Sequence, residues 1–151
     1  MTGSEHGQFP TQPPTSMARI VRAWGPVVVW MGLIFAFSAQ PGLRVSDDPG
    51  VDGPIRHVAH VVVYAVLAMA LLRALSWGAP NGWTWRHAVL AISLAVLYGV
   101  SDEVHQTYVP QRTGHLVDVG WDLLGAAAGV VTLRLVPRRW RRRGSVDVGP
   151  G

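Results

Sequence analysis

Two stretches of this chain carry ionisable side chains at spacings suited to chemistry. The longer runs SDEVHQTYVPQR from Ser101 to Arg112 and is followed closely by Asp118 and Asp122. Four of the nine acidic residues, Asp102, Glu103, Asp118 and Asp122, thus fall within 21 positions, beside His105, Gln106 and Arg112. The shorter stretch places His57, His60 and Tyr64 at i, i+3 and i+7, one face of a helix. Carboxylates beside imidazoles can move protons, and a guanidinium can hold a phosphate or carboxylate through two parallel hydrogen bonds. Asp102, Glu103, His105 and His60 are the candidate catalytic residues. Arg112, Gln106, Asp118, Asp122, Tyr64, Ser38 and Gln40 are the candidate binding residues.

Several chemistries find no support. The chain has no cysteine, so disulfides, thiolate metal sites and cysteine nucleophiles are excluded. Carboxylates and histidines together could hold a hard or borderline divalent ion, but none of their spacings matches a recognised zinc motif such as HExxH, so no metal and no cofactor is expected. The glycine-bearing segments GPIR and QRTGH lack the pattern of a phosphate-binding loop. The isoelectric point near 10.6 would suit a nucleic-acid binder. However, six of the thirteen arginines (Arg134, Arg138, Arg139, Arg141, Arg142 and Arg143) directly follow or end an apolar stretch, where anionic lipid is their natural partner. No nucleic-acid partner is expected; membrane lipids are.

The elements that position these residues are four apolar stretches: Trp24 to Ala39, Val58 to Leu75, Ala88 to Val104 and Leu116 to Val136. Each approaches the roughly 20 residues that a helix needs to cross a bilayer. Only 15% of the chain is charged, and 49% is apolar. A soluble bundle would need a polar face on strips such as VVVWMGLIFAF, which have none. The predicted fold is therefore an all-α integral membrane protein, a four-transmembrane-helix bundle. Ala36 and Ser38 also resemble a signal-peptide cleavage pattern, which would leave the other spans unchanged. The polar segments 1–18 and 138–151, the latter Arg-rich, read as disordered tails around a membrane domain at 19–137.

Arginines set the orientation. With the N-terminus inside, ten of the thirteen fall on the cytoplasmic side, and only Arg44, Arg56 and Arg112 lie outside. Both termini are thus predicted to be cytoplasmic, in a multi-pass protein of the cytoplasmic membrane. Trp24, Trp77, Trp83, Trp85 and Trp140 then mark the inner interface, and every polar motif above faces outward. If the third helix runs past Val104, Tyr98, Asp102, His105 and Gln106 share a face. On the fourth, Asp118, Asp122, Gly125 and Gly129 align, and the two glycines form a GxxxG suited to close helix packing.

RHVAHVVVY (56–64), SDEVHQTYVPQRTGHLVDVGWDLLGAAAG (101–129) and Ser38-Ala-Gln-Pro41 together resemble the VanZ-like family. The resemblance spans about residues 24 to 136. It carries the family's positions onto Ser38, Gln40, His60, Tyr64, Asp102, Glu103, His105, Gln106, Arg112, Asp118, Asp122 and Gly125. The chain departs from the pattern at His57 and Val63, where Lys and Glu are frequent, and at Gln111, where Gly commonly precedes the Arg. The family takes its name from a membrane protein associated with teicoplanin resistance. What the resemblance implies is a bacterial cell-envelope role with a link to glycopeptide resistance.

Three functional readings stand at this point. In the first, an outward-facing polar site takes an anionic lipid-linked or cell-wall molecule, a lipid-linked precursor or a glycopeptide-related ligand, with or without catalysis. In the second, the same residues form an internal network that fixes four short helices in a scaffold or partner of envelope enzymes. Proton-linked transport is the third, and four spans without an internal repeat speak against it. The sequence leaves the oligomeric state open.

Overall fold

The computed structural model describes residues 16–42, 46, 48–79 and 82–135. Both predicted tails fall largely outside that set, as do Arg44, Asp47 and Trp140. Four helices account for nearly all of it: α1 (Ser16–Ser38), α2 (Pro49–Leu75), α3 (Trp85–Gln106) and α4 (Leu116–Leu135). All four are long and apolar enough to cross a membrane. At about 1.5 Å per residue they measure roughly 30 to 40 Å, against a hydrocarbon core of about 30 Å.

Helices α1, α2 and α3 start before their apolar stretches, and α3 also runs past the end of its own. Helix α2 starts at Pro49 rather than near Val58, so Asp52 and Arg56 belong to its first turns and not to a loop. Its start is fixed locally. Asp48 caps it, its side chain accepting from the Gly50 N–H at 2.8 Å, and Pro49 stands where a helix can spare an amide hydrogen. Helix α3 does run on to Gln106, carrying the Asp-Glu-x-His-Gln motif within its last turns.

Large apolar side chains such as Val28, Phe37, Val62, Leu97 and Leu124 are exposed, whereas Asp102, Glu103, Gln106, Asp118 and Asp122 are buried. Apolar outside and polar inside is the arrangement of a bundle solvated by lipid. Leu67, Ala68, Leu72, Ala91, Ala95 and Ala126 fill the middle of the interior.

Helices α2 and α4 run parallel and make the tightest seam. A Cβ at Gly125 would lie 2.8 Å from Val61 Cα, and one at Gly129 would lie 2.9 Å from Ala65 Cα. Each is too close for any side chain, so the GxxxG is what lets α4 lie against the α2 backbone. Helix α3 packs on both. Helix α1 packs on α2, approaches α3 along a shorter line and keeps its backbone away from α4. Its attachments include Trp30 Nε1, which donates to the Val63 carbonyl at 3.0 Å, and Tyr98 Oη, which donates to the Met31 carbonyl at 2.7 Å.

One pole of the bundle is formed by the end of α1, the start of α2, the end of α3 and the start of α4. The opposite pole carries arginines stacked on tryptophans: Arg73 on Trp77, Arg86 on Trp85 and Arg134 on Trp83. Arg73 also donates to the Arg22 carbonyl at 3.3 Å, tying α2 to the first turns of α1. These pairings suit a membrane interface, where aromatic rings and long cationic side chains both find water at one end and hydrocarbon at the other.

Candidate functional site

Two linked polar clusters occupy the first pole. The first joins α1 to α3. Ser38 Oγ donates to Asp102 Oδ1 at 2.6 Å, and Gln106 Nε2 donates to Asp102 Oδ2 at 3.0 Å. Asp102 and Gln106 stand one turn apart, so the amide closes on its own helix while the hydroxyl arrives from α1. Arg112, from the turn after α3, lies against the same place, with Nη2 at 3.5 Å from the Ser38 carbonyl.

The second cluster joins α2 to α4 as a ladder. Arg56 Nη2 lies 2.9 Å from Asp118 Oδ2, and one turn deeper His60 Nδ1 lies 2.7 Å from Asp122 Oδ1. Both rungs follow from matched four-residue spacings on the two parallel helices, and the glycine seam one turn further in brings them within reach. His57 adds a longer contact to Asp118 Oδ1 at 3.7 Å and stacks on Trp121 at 4.9 Å. Space for Asp122 comes from Gly99 on α3, where a Cβ would collide with Asp122 Oδ2 and meet Tyr64 Cε1 at 3.3 Å. Tyr64 is itself buried, its ring parallel to that of His60 at 6.2 Å.

Glu103 faces this second cluster from α3. Its Oε2 accepts from the His115 backbone N–H at 2.7 Å. That contact needs the α3–α4 turn folded tightly back on the helix, and Gly114 permits it: a Cβ there would run into the Glu103 carbonyl. In the same turn Gln111 has φ of 62°, in the left-handed region that glycine adopts most easily. This accounts for the glycine common at that position in the pattern noted above.

A cavity of about 330 Å³ opens beside the clusters, chiefly between the halves of α1 and α2 nearest this pole. Leu33, Phe37, Ile55 and Val63 contribute apolar wall, while Ser38, Arg56, His60, Asp102, Gln106 and Arg112 contribute a polar end. Phe37 and Ile55 are also exposed, so the apolar wall of the cavity reaches the surface of the bundle.

The candidate residues divide accordingly. Ser38, Asp102, Gln106 and Arg112 meet in one cluster, and His60, Asp118, Asp122, Glu103 and Tyr64 in the other. His105 turns elsewhere and packs on Phe35 at 4.5 Å, and Gln40 sits exposed in the turn after α1; neither lines the cavity. Arg56 and His57 were not among the candidates. The signal for Arg56 was present: Arg56 and His60 repeat at i, i+4, as do Asp118 and Asp122, with opposite charge.

The VanZ/LLP1 family model matches residues 23–137, which covers all of α2, α3 and α4 and most of α1. The chain belongs to the VanZ/LLP1 family. Neither a curated protein nor a solved structure matches it. For a VanZ/LLP1 protein the geometry adds particular chemical capacities. With Nδ1 on Asp122, His60 keeps Nε2 available as a proton carrier or ligand. Arg56 and Arg112 both line the cavity and could face one anion there.

Proposed function

We propose that this VanZ/LLP1 protein holds an anionic, lipid-linked molecule at an outward-facing polar site of the bacterial cytoplasmic membrane. Its apolar chain lies in the cavity between α1 and α2 and leaves it past the exposed Phe37 and Ile55, and its charged group lies at Arg112 and Arg56. The observation that carries the reading is the cavity's two-ended lining: apolar at Leu33, Phe37, Ile55 and Val63, and polar at the other end, where Arg56 and Arg112 stand beside Asp52, Asp102, Ser38 and Gln106. A free water-soluble anion has no use for the first half, and an ordinary neutral lipid has none for the second. The arginine asymmetry of the sequence supports placing this pole outside, where lipid-linked cell-wall precursors and glycopeptides meet.

The test is binding by purified protein in neutral-lipid nanodiscs, with an isoprenoid phosphate as the probe. Saturable binding that falls at least tenfold in Arg112→Gln supports the reading. Equal affinity for the uncharged isoprenol, or no saturable binding by folded wild type, sinks it. Incubation of the same samples with an isoprenoid diphosphate, followed by mass analysis, decides whether the bound molecule is turned over.

The scaffold reading has one observation in its favour. The hydrogen bonds of Ser38, Asp102 and Gln106 close on one another, as they would in a purely structural network. It expects Arg112→Gln to reduce folded yield without changing any ligand affinity.

A further inference from the structure

We propose that His60, Glu103 and Asp118 bind one divalent cation of the zinc or manganese class, with Asp122 as the residue that orients His60. The three come from α2, α3 and α4, and one donor atom from each lies within 4.8 Å of the others. A divalent ion with bonds of about 2.1 Å holds neighbouring ligand atoms roughly 3 to 4 Å apart, so small side-chain rotations close the set.

Hydrogen bonding points independently to a missing partner. Glu103 and Asp118 are 4% and 1% exposed. Yet Glu103 Oε1 and both Asp118 oxygens have no hydrogen-bond partner among the described residues. Arg56 meets Asp118 as a charge partner at 2.9 Å without a hydrogen bond between them, and His57 lies farther off at 3.7 Å. Buried carboxylate oxygens left this way are costly unless something positive meets them.

Charge leads to the same conclusion. With Glu103, Asp118 and Asp122 all ionised and His57 and His60 neutral, Arg56 would offset one of three negative charges and leave two. A divalent cation supplies that amount. The His60–Asp122 hydrogen bond at 2.7 Å is also the arrangement that commonly orients a metal-binding imidazole, fixing its tautomer so that the second nitrogen faces the ion. Gly99 is what makes room for Asp122 in that position. One imidazole nitrogen and two carboxylates, without thiolate, suit zinc or manganese better than a soft ion such as copper(I). The cation site does not rest on the lipid reading above, although His60 also borders the cavity.

The full chain, purified in detergent, stripped with chelator and exposed to micromolar zinc or manganese, is expected to retain about one ion per chain by elemental analysis. Glu103→Gln, Asp118→Asn and His60→Gln should each reduce retention at least tenfold, and Asp122→Asn should weaken affinity by about 10- to 100-fold. His87→Gln and His105→Gln should retain the full ion. Folding is checked by monodispersity and helical content. If the ligand variants fail that check, the wild type decides: bound manganese should show electron-spin-echo modulation from a histidine nitrogen. Retention unchanged in folded Glu103→Gln and Asp118→Asn, a manganese signal without nitrogen coupling, or wild type that retains no ion would each overturn the proposal.

Discussion

Replacing Gly125 by alanine tests whether the α2–α4 seam sets the chemistry one turn above it. The new Cβ would lie 2.8 Å from both Cα and C of Val61, neither of which can rotate away. Carbon atoms are comfortable at about 3.5 to 4.0 Å, so the helices must part by roughly 0.7 to 1.2 Å at this level. Carried to the next turn, that displacement takes the His60–Asp122 contact from 2.7 Å to beyond the roughly 3.2 Å limit of a good N–H···O bond. Overpacking costs about 1 to 3 kcal/mol, and a hydrogen bond between membrane helices contributes about 0.6 to 1.7, so a loss of about 2 to 4 kcal/mol is expected. The assay is reversible unfolding in mixed micelles, with Gly120→Ala on the same helix as the reference. Nothing lies within 4 Å of a Cβ at Gly120, so that variant should match wild type or gain slightly. A Gly125→Ala protein as stable as Gly120→Ala would refute the account of the seam.

Three other outcomes follow from the same geometry. Gln111→Gly should raise stability by about 0.5 to 1 kcal/mol by relieving a left-handed backbone, measured in the same micelles; a loss would mean that the Gln111 side chain against Gly42 matters more. Asp102→Ala strips the acceptor from Ser38 Oγ and Gln106 Nε2 together and should cost about 2 to 3 kcal/mol, whereas Asp102→Asn, which keeps one oxygen, should cost less. For orientation, the absence of native cysteine makes single-cysteine labelling clean: Thr113→Cys should react with an impermeant reagent on intact cells and Ser145→Cys should not. The opposite pattern would reverse the topology.

The spans were legible because lipid leaves its mark residue by residue. Strips such as VVVWMGLIFAF are apolar all round, and the structure leaves Val28, Leu33 and Phe37 on the outside. The start of α2 was not legible from hydropathy, since Pro49, Asp52 and Pro54 read as loop; the Asp48 cap and the Pro49 position that begin the helix are polar local signals that an apolar average hides. Grouping of the site was only half legible. Spacing within a helix predicts which residues share a face, as for Asp102 with Gln106 or Asp118 with Asp122. It does not reveal which helices face one another. The proposed cation ligands come one each from α2, α3 and α4, so no contiguous motif could announce them, and a search for HExxH-like spacing passes over them. His105 illustrates the converse: adjacent in sequence to the buried Gln106, it turns to Phe35 instead.

The ladder and the glycine seam between α2 and α4 share one step length, four residues, or about 6 Å along each helix. Together they behave like a vernier scale cut into two rulers. A slide by any fraction of a turn misaligns every mark at once, setting carboxylates against carbon and Cβ atoms against backbone. A slide by one whole turn keeps one charged rung and one glycine seat and gives up the other of each. The pair is thereby held firmly against small drift, and the nearest alternative alignment is a discrete notch rather than a continuum.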